Sequence, residues 1–309
     1  MKSLSINGRI TLDMHSLNNE GSEGNHLQTR MVHIINEHGE LEVVNAVSGD
    51  MLKHMQTEHL NHILIERKHK ALCKGCASLD ANRINADDEF FKSIGKEKDV
   101  AKVTTALLQY CAMDDTQGVL ITKDNRSTPR KSVVEFGWLV GIPEKNHSES
   151  HFHVKFDQKR EAGSGADDGS NTGQNIFYRP ANSGQYAVVL NVELDRIGFN
   201  DVTREYVIDE EERRIRTRAV LESILYTFIK PSGAMRNTQN PHILGFEGII
   251  SVSNNSIPAP TISPIRSDYK EEIEKVAKEL NRIQEGIETF SFQTQSEFTR
   301  LMADLIEQL

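Results

Sequence analysis

Between Leu4 and Met14 apolar and polar side chains alternate. Leu4, Ile6, Ile10, Leu12 and Met14 share one parity, Ser5, Arg9, Thr11 and Asp13 the other, and Gly8 is the one interruption. A period of two sends successive side chains to opposite faces, so this stretch predicts a strand with one buried face. The period then changes. After Ser48-Gly49-Asp50, the residues Met51, Leu52, Met55, Leu60, Ile63 and Leu64 recur at helical spacing. Ser48 suits the N-cap of that helix and Asp50 its positive first turn. Extended segments return at 119–121, 133–140 and 186–192. A second long helix opens on Asp209-Glu210-Glu211-Glu212 and stops at Pro231, and Phe246 to Val252 reads as a last strand. Stripped of intervening segments, the order is strand, helix, strand, strand, helix, strand: an α+β chain of the ferredoxin-like arrangement.

The remaining stretches read as additions to that unit. Asn18 to Asn25 is wholly polar and predicts a loop, while 31–35 and 41–44 are extended either side of Glu37-His38-Gly39. Residues 68–98 are polar and irregular, an excursion from the core, with Val100, Val103, Leu107 and Tyr110 marking a helix that closes it. Residues 157–175, rich in Gly, Ser, Asp and Asn, predict a mobile loop or hairpin tip. Ile273, Val276, Leu280, Ile283 and Ile287 predict a helical tail over 268–309.

Composition excludes several classes. With 37% apolar and 26% charged residues the chain can bury a core, and no apolar run approaches the roughly 20 residues of a membrane span. Its start is not that of a signal peptide, and its three cysteines, Cys73, Cys76 and Cys111, are too few for a disulfide framework. A reducing cytoplasm is the expected compartment. The net charge of -9 argues against a broadly basic coat but leaves room for a local cationic groove.

Few motifs carry chemistry. No phosphate-cradling glycine loop, dinucleotide fingerprint or nucleophile elbow is present. Cys73-Lys74-Gly75-Cys76 has the spacing of half a zinc site, with His59, His62, His69 or Cys111 as completing ligands. No second pair stands out, so incidental thiols are the favoured reading and no cofactor is expected. His147, His151 and His153 form a second, weaker metal candidate outside any helical zinc motif. Nucleic acid fits better. Lys230 to His242 holds Lys230, Arg236, Asn237, Gln239, Asn240 and His242 with no acid, and Lys123, Arg126, Arg130 and Lys131 share a stretch with Asp124 alone. Cations that displace counterions and amides that orient a backbone suit phosphate contacts. The first helix adds its free amides beside Ser48 and Lys53. Phe152, Phe156, Phe177 and Tyr178 flank the 157–175 loop and suit stacking, although core packing explains Phe177 as well.

Several blocks in order are more specific. They are Ile6-Asn7-Gly8-Arg9, the run Leu17 to Asn25, Asn45-Ala46-Val47-Ser48-Gly49-Asp50-Met51-Leu52-Lys53-His54, and Val134-Glu135-Phe136-Gly137-Trp138. Ile176-Phe177-Tyr178-Arg179-Pro180, Gly233-Ala234-Met235-Arg236-Asn237-Thr238-Gln239 and Gly245-Phe246-Glu247-Gly248 follow. Together, over residues 4–264, they resemble the DevR-type branch of the Cascade backbone subunit family of CRISPR systems. Leaving the helical tail at 265–309 outside it, the resemblance implies a modified RNA-recognition-motif (RRM) palm over 1–264, a finger insertion at 68–117 and a thumb hairpin at 143–180. It further implies copies polymerising along a guide RNA (crRNA), most like subtype I-B, with bases presented to target DNA, other Cascade subunits as partners and no catalysis. Carried onto this chain, Ser48, Gly49 and Lys53 are the best phosphate contacts, Gln28 and Arg30 next, and Arg236, Asn237 and Gln239 also face the guide. Two alternatives stay open: a metal-dependent endoribonuclease of type III character, using Asp13 or Asp167-Asp168, and a stand-alone transcriptional regulator.

Overall fold

The computed structural model describes residues 1–156 and 174–309. The chain runs β1 (Ser3–His15), β2 (Asn19–Glu23), β3 (His26–Thr29), β4 (Met31–Ile35), β5 (Leu41–Val47) and α1 (Gly49–Glu66). Next come α2 (Lys74–Ala77), α3 (Asp88–Ile94), α4 (Val100–Tyr110) and α5 (Ala112–Gln117), then β6 (Val119–Ile121), β7 (Thr128–Arg130) and β8 (Val134–Phe136). Two long strands follow, β9 (Leu139–Phe156) and β10 (Gln174–Glu193), with the short β11 (Phe199–Asn200) and β12 (Glu205–Tyr206). The chain ends with α6 (Glu210–Ile229), β13 (His242–Ser253), α7 (Tyr269–Asn281), β14 (Ile287–Phe292) and α8 (Gln295–Glu307). No described helix is long and apolar enough to cross a membrane.

The main sheet has the order β14-β13-β1-β10-β9-β5-β4, and every neighbouring pair on that path is antiparallel. Its centre, β13-β1-β10-β9, holds the four strands of the expected β-α-β-β-α-β order, with α1 and α6 as the two connecting helices packed on each other. Leu4, Ile6, Ile10 and Leu12 enter the main core as the alternation requires.

The opposite parity of β1 is covered too. Ser5 and Asn7 are buried, Ser5 Oγ lies 3.0 Å from Thr261 Oγ1, and the Arg9 guanidinium donates to the carbonyls of Pro264 and Arg266. The proline-punctuated stretch therefore crosses the second face of the sheet, where α7 buries Tyr269 and Ile273 against Ile249. Met14, expected on the buried parity, is half exposed. A register shift between Leu12 and His15, with Met14 at φ 53°, turns His15 inward instead.

Three predicted stretches fold differently. The polar run 18–25 is not a loop; it forms the β2–β3 hairpin, which meets β10 where His26 pairs with Tyr178. The excursion over 68–98 holds two short helices, capped by Cys73 and Asp87, between turns, and it delivers Ile84, Phe90 and Phe91 to the main core. The tail is not helical throughout. Ile287 lies in β14, which extends the sheet beside β13.

Candidate nucleic-acid interface

Asn18 ties the start of α1 to the rest of the site. Its Oδ1 accepts the Ser48 N–H at 2.7 Å, and Ser48 Oγ in turn accepts the Met51 N–H at 3.2 Å, making Ser48 the N-cap. Gly49 follows because nothing larger fits: a Cβ there would lie 2.7 Å from the Phe136 carbonyl oxygen on β8. One turn on, Lys53 lines a recess of about 260 Å³ with Gly49, Asp50, Glu135 and Trp138. Burial lowers the Lys53 pKa below its ordinary value, and repulsion from Arg83 acts in the same direction. Arg30 stacks its guanidinium 5.0 Å above the Trp138 ring and pairs with Glu20 of the β2–β3 hairpin.

The acid-free loop after α6 docks beside this group. The Ala234 N–H donates to the Leu17 carbonyl at 3.1 Å, next to Asn18, and a Cβ on Gly233 would strike Leu17. Gln239 Nε2 donates to the Pro180 carbonyl at 2.7 Å, so the loop also grips one arm of the β9–β10 hairpin. Arg236 and Asn237 are exposed at its crest. Arg236 pairs with Glu58 of α1 at 3.0 Å, and the Lys230 carbonyl lies 3.1 Å from His59 Nε2. Gln28, on β3, is exposed and donates to Glu23. The candidate surface thus centres on the 16–18 turn, where Ser48 and residues 233–234 meet. Arg236 and Lys230 lie against Glu58 and His59 farther along α1, Gln239 against Pro180, and Lys53 in the recess with Glu135 and Trp138.

Arg126 and Arg130 do not belong to it. The Arg126 side chain is buried, donating to the carbonyls of Gly95 and Glu97 and to Asp124. Arg130 bridges the buried Asp115 (2.7 Å) to Asp201 (2.9 Å) and donates to the Phe199 carbonyl, while Asp115 also holds Arg216 at 2.9 Å. Both side chains are buried and turn their donors to carbonyls and carboxylates inside the protein, away from a phosphate.

The hairpin arms carry aromatic side chains on both faces. Phe152 is exposed and stands edge-on to Tyr178, which stacks on His26 at 4.0 Å. On the other face Phe177 stacks with His153 at 5.5 Å and lies under Arg179, whose guanidinium reaches Thr238 of the docked loop. The arms pair as antiparallel strands; residues 157–173, with Asp167-Asp168, and the Phe156 side chain lie outside the described residues. The three histidines do not assemble as a metal set. His147 and His151 turn to Glu149, whereas His153 is taken up by Phe177. Asp13 pairs in register with His242 across β1 and β13.

Sequence reasoning missed Asn18, Trp138 and Arg179 as site residues, although all three lie inside the blocks that carried the resemblance. It also missed a buried polar network beneath the site. His15 Nε2 lies 2.9 Å from the Tyr186 hydroxyl, which donates to Asn45 Oδ1, and Asn45 and Asn182 both donate to Thr29 Oγ1. This network fixes the strand ends from which the β2–β3 and β9–β10 hairpins emerge.

A family model described as "CRISPR-associated negative auto-regulator DevR/Csa2" matches residues 6–274. The chain belongs to the DevR/Csa2 family. "CRISPR-associated protein Cas7/Cst2/DevR" of Methanocaldococcus jannaschii is 25% identical over 325 residues, covering 99% of both chains. Two solved structures share the fold. A chain of a "CRISPR RNA-guided surveillance complex, pre-nicking" aligns with TM-score 0.52 and 14% identity over 93% of this chain and 90% of that one. A chain of a "CRISPR RNA-guided surveillance complex" aligns with TM-score 0.50 and 13% identity over 99% of each. The DevR/Csa2 match ends inside α7, so β14 and α8 lie beyond it.

Proposed function

We propose that this chain is a non-catalytic guide-RNA-binding backbone subunit of a type I Cascade complex, most like subtype I-B. Copies line up along one crRNA, pre-order it and present its bases to target DNA, and a separate nuclease cuts. Pre-ordering the guide lowers the entropy lost on pairing. The observation that carries this reading is the acid-free loop 231–241, docked between the α1 N-terminus and an arm of the aromatic hairpin. Arg236 and Asn237 stand exposed on that loop, and Arg179 of the hairpin, with the Phe177 ring beside it, reaches the loop's Thr238. The acids that hold Arg30 and Arg236, the exposed Glu20 and the half-buried Glu58, do not oppose it. Surface ion pairs contribute only about 0–1 kcal/mol each, so a phosphate displaces them at small cost, and an otherwise acidic surface discourages unguided binding.

The test measures binding of a synthetic single-stranded RNA, and co-assembly of copies on it, across a salt series. The wild-type chain is expected to bind and multimerise on RNA. Lys53→Ala with Arg236→Ala should weaken binding and flatten the log–log salt slope by about 1.4, the value for two lost single-strand phosphate contacts. An unchanged slope sinks the proposed surface. Regularly spaced cuts in a complementary RNA with a divalent metal would favour the endoribonuclease. Sequence-specific binding to promoter duplex without any RNA would favour the regulator.

A further inference from the structure

Cys73-Lys74-Gly75-Cys76 lacks a second pair only while cysteine alone is counted. Cys111-Ala112-Met113-Asp114 repeats its spacing, and the fold brings the two together. Each pair sits at the start of a short helix, with Cys73 at the N-cap of α2 and Cys111 at the N-cap of α5. One potential ligand atom from each of Cys73, Cys76, Cys111 and Asp114 lies within 4.8 Å of all the others, and all four residues are buried. Cys73 Sγ is 3.3 Å from Asp114 Oδ2, and Asp114 Oδ1 has no partner within the protein.

We propose that these four side chains form a closed, structural zinc site of Cys3Asp type. A tetrahedral zinc with ligands at about 2.0–2.3 Å sets sulfur–sulfur edges near 3.8 Å and sulfur–oxygen edges near 3.5 Å. The observed cluster reaches those edges with shifts of about 1 Å or less. Thiolate-rich donors select zinc among the abundant divalent ions, and four buried protein ligands leave no open position for a substrate. The surroundings are built around the sulfurs. The Cys76 N–H points at Cys73 Sγ (3.3 Å) and the Cys73 N–H at Cys111 Sγ (3.4 Å), the outer hydrogen bonds that orient thiolate ligands. Asn61 of α1 donates to the Cys76 carbonyl at 2.8 Å. Gly75 leaves room for Arg83, whose carbonyl oxygen would lie 2.0 Å from any Cβ there. The metal would tie the chain leaving α1 to the α4–α5 junction and so hold the finger-type insertion against α1. It also supplies the partner a buried carboxylate needs, since an unpaired charge in a core is costly.

The test starts from the full chain, purified under reducing conditions without chelator. Metal analysis is expected to give about one zinc per chain, released stoichiometrically as a mercurial titrates the three thiols. Cobalt exchanged into the site should show thiolate charge-transfer absorption. Cys76→Ser should lower zinc content by at least about tenfold, whereas Asp114→Cys should keep about one zinc per chain. Should the Cys76 variant fail to fold, the wild-type zinc release and the Asp114→Cys retention still decide. Metal-free wild-type chain that takes up neither zinc nor cobalt overturns the proposal, and so does a Cys73–Cys76 disulfide or an iron chromophore.

Discussion

His15 shows how one side chain couples the candidate interface to pH. Its Nδ1 accepts the Leu17 N–H and its Nε2 faces the Tyr186 hydroxyl, a set that a neutral ring satisfies and an imidazolium does not. Burial lowers its pKa from 6.5 to about 4. Between those values the unfolded chain binds a proton that the folded chain refuses, so stability falls as pH drops through this window and levels off below it. Relative to His15→Gln, which removes the titration, the wild-type chain should lose about 2 kcal/mol of its advantage between pH 7 and pH 5. Urea midpoints of the two proteins at both pH values check this; a gap of constant size refutes it. The arginines carry a second lesson at this scale. Arg126, Arg130 and Arg236 look alike in the sequence, each a cation in an acid-poor stretch. Asp115 decides otherwise for Arg130, and the carbonyls of Gly95 and Glu97 for Arg126. Those partners are distant in sequence, so local composition carries no trace of them.

At the scale of elements, legibility follows the range of the interactions. β1, α1, α6 and β13 announce themselves because their periodicity and caps are local: Ser48 and Asp209 cap the helices the sequence assigns to them. The β2–β3 hairpin does not, because its side chains are mostly exposed and its strands have no apolar alternation to read. β14 is misread as helix for a related reason. Ile287 lies four residues after Ile283 and so extends the helical count of the tail by chance. Its assignment rests on pairing with β13 and on Phe292. That ring joins Phe246 at 5.0 Å and Phe298 at 5.1 Å, and Phe228 of α6 stacks on Phe246 at 4.9 Å. The aromatic cluster makes β14 and α8 part of the core, although they lie past the end of the family match. Phe298→Ala should therefore cost about 3–5 kcal/mol of stability, read by denaturant unfolding. A loss below about 1 kcal/mol would show that α8 is an appendage.

At the scale of the whole molecule, the central strands are covered on both faces, while an edge of the main sheet carries exposed apolar side chains. Met31, Ile35, Leu41 and Val43 are all exposed on the β4–β5 pair, and β4 is an edge of the main sheet. A contiguous apolar strip at a sheet edge is where a second chain packs. If copies line up along a guide, Leu41→Lys with Val43→Lys should abolish co-assembly on long RNA. Folding stability should change by no more than about 0.5 kcal/mol per site, because neither side chain is buried. Size-exclusion chromatography with and without RNA reads the first effect and thermal unfolding the second; undiminished multimers on RNA would place the copy–copy contact elsewhere.

The sequence by itself determined the four central strands, the two long helices with their caps, and the family, since all of these are written in spacing between near neighbours. Only the tertiary structure decided which cations reach the surface, that the tail adds a strand to the sheet, and that Cys111 and Asp114 meet Cys73 and Cys76. Each of those outcomes depends on partners brought together from more than ten residues away, and a carboxylate, a carbonyl or a sulfur acquires its role only when folding sets what lies beside it.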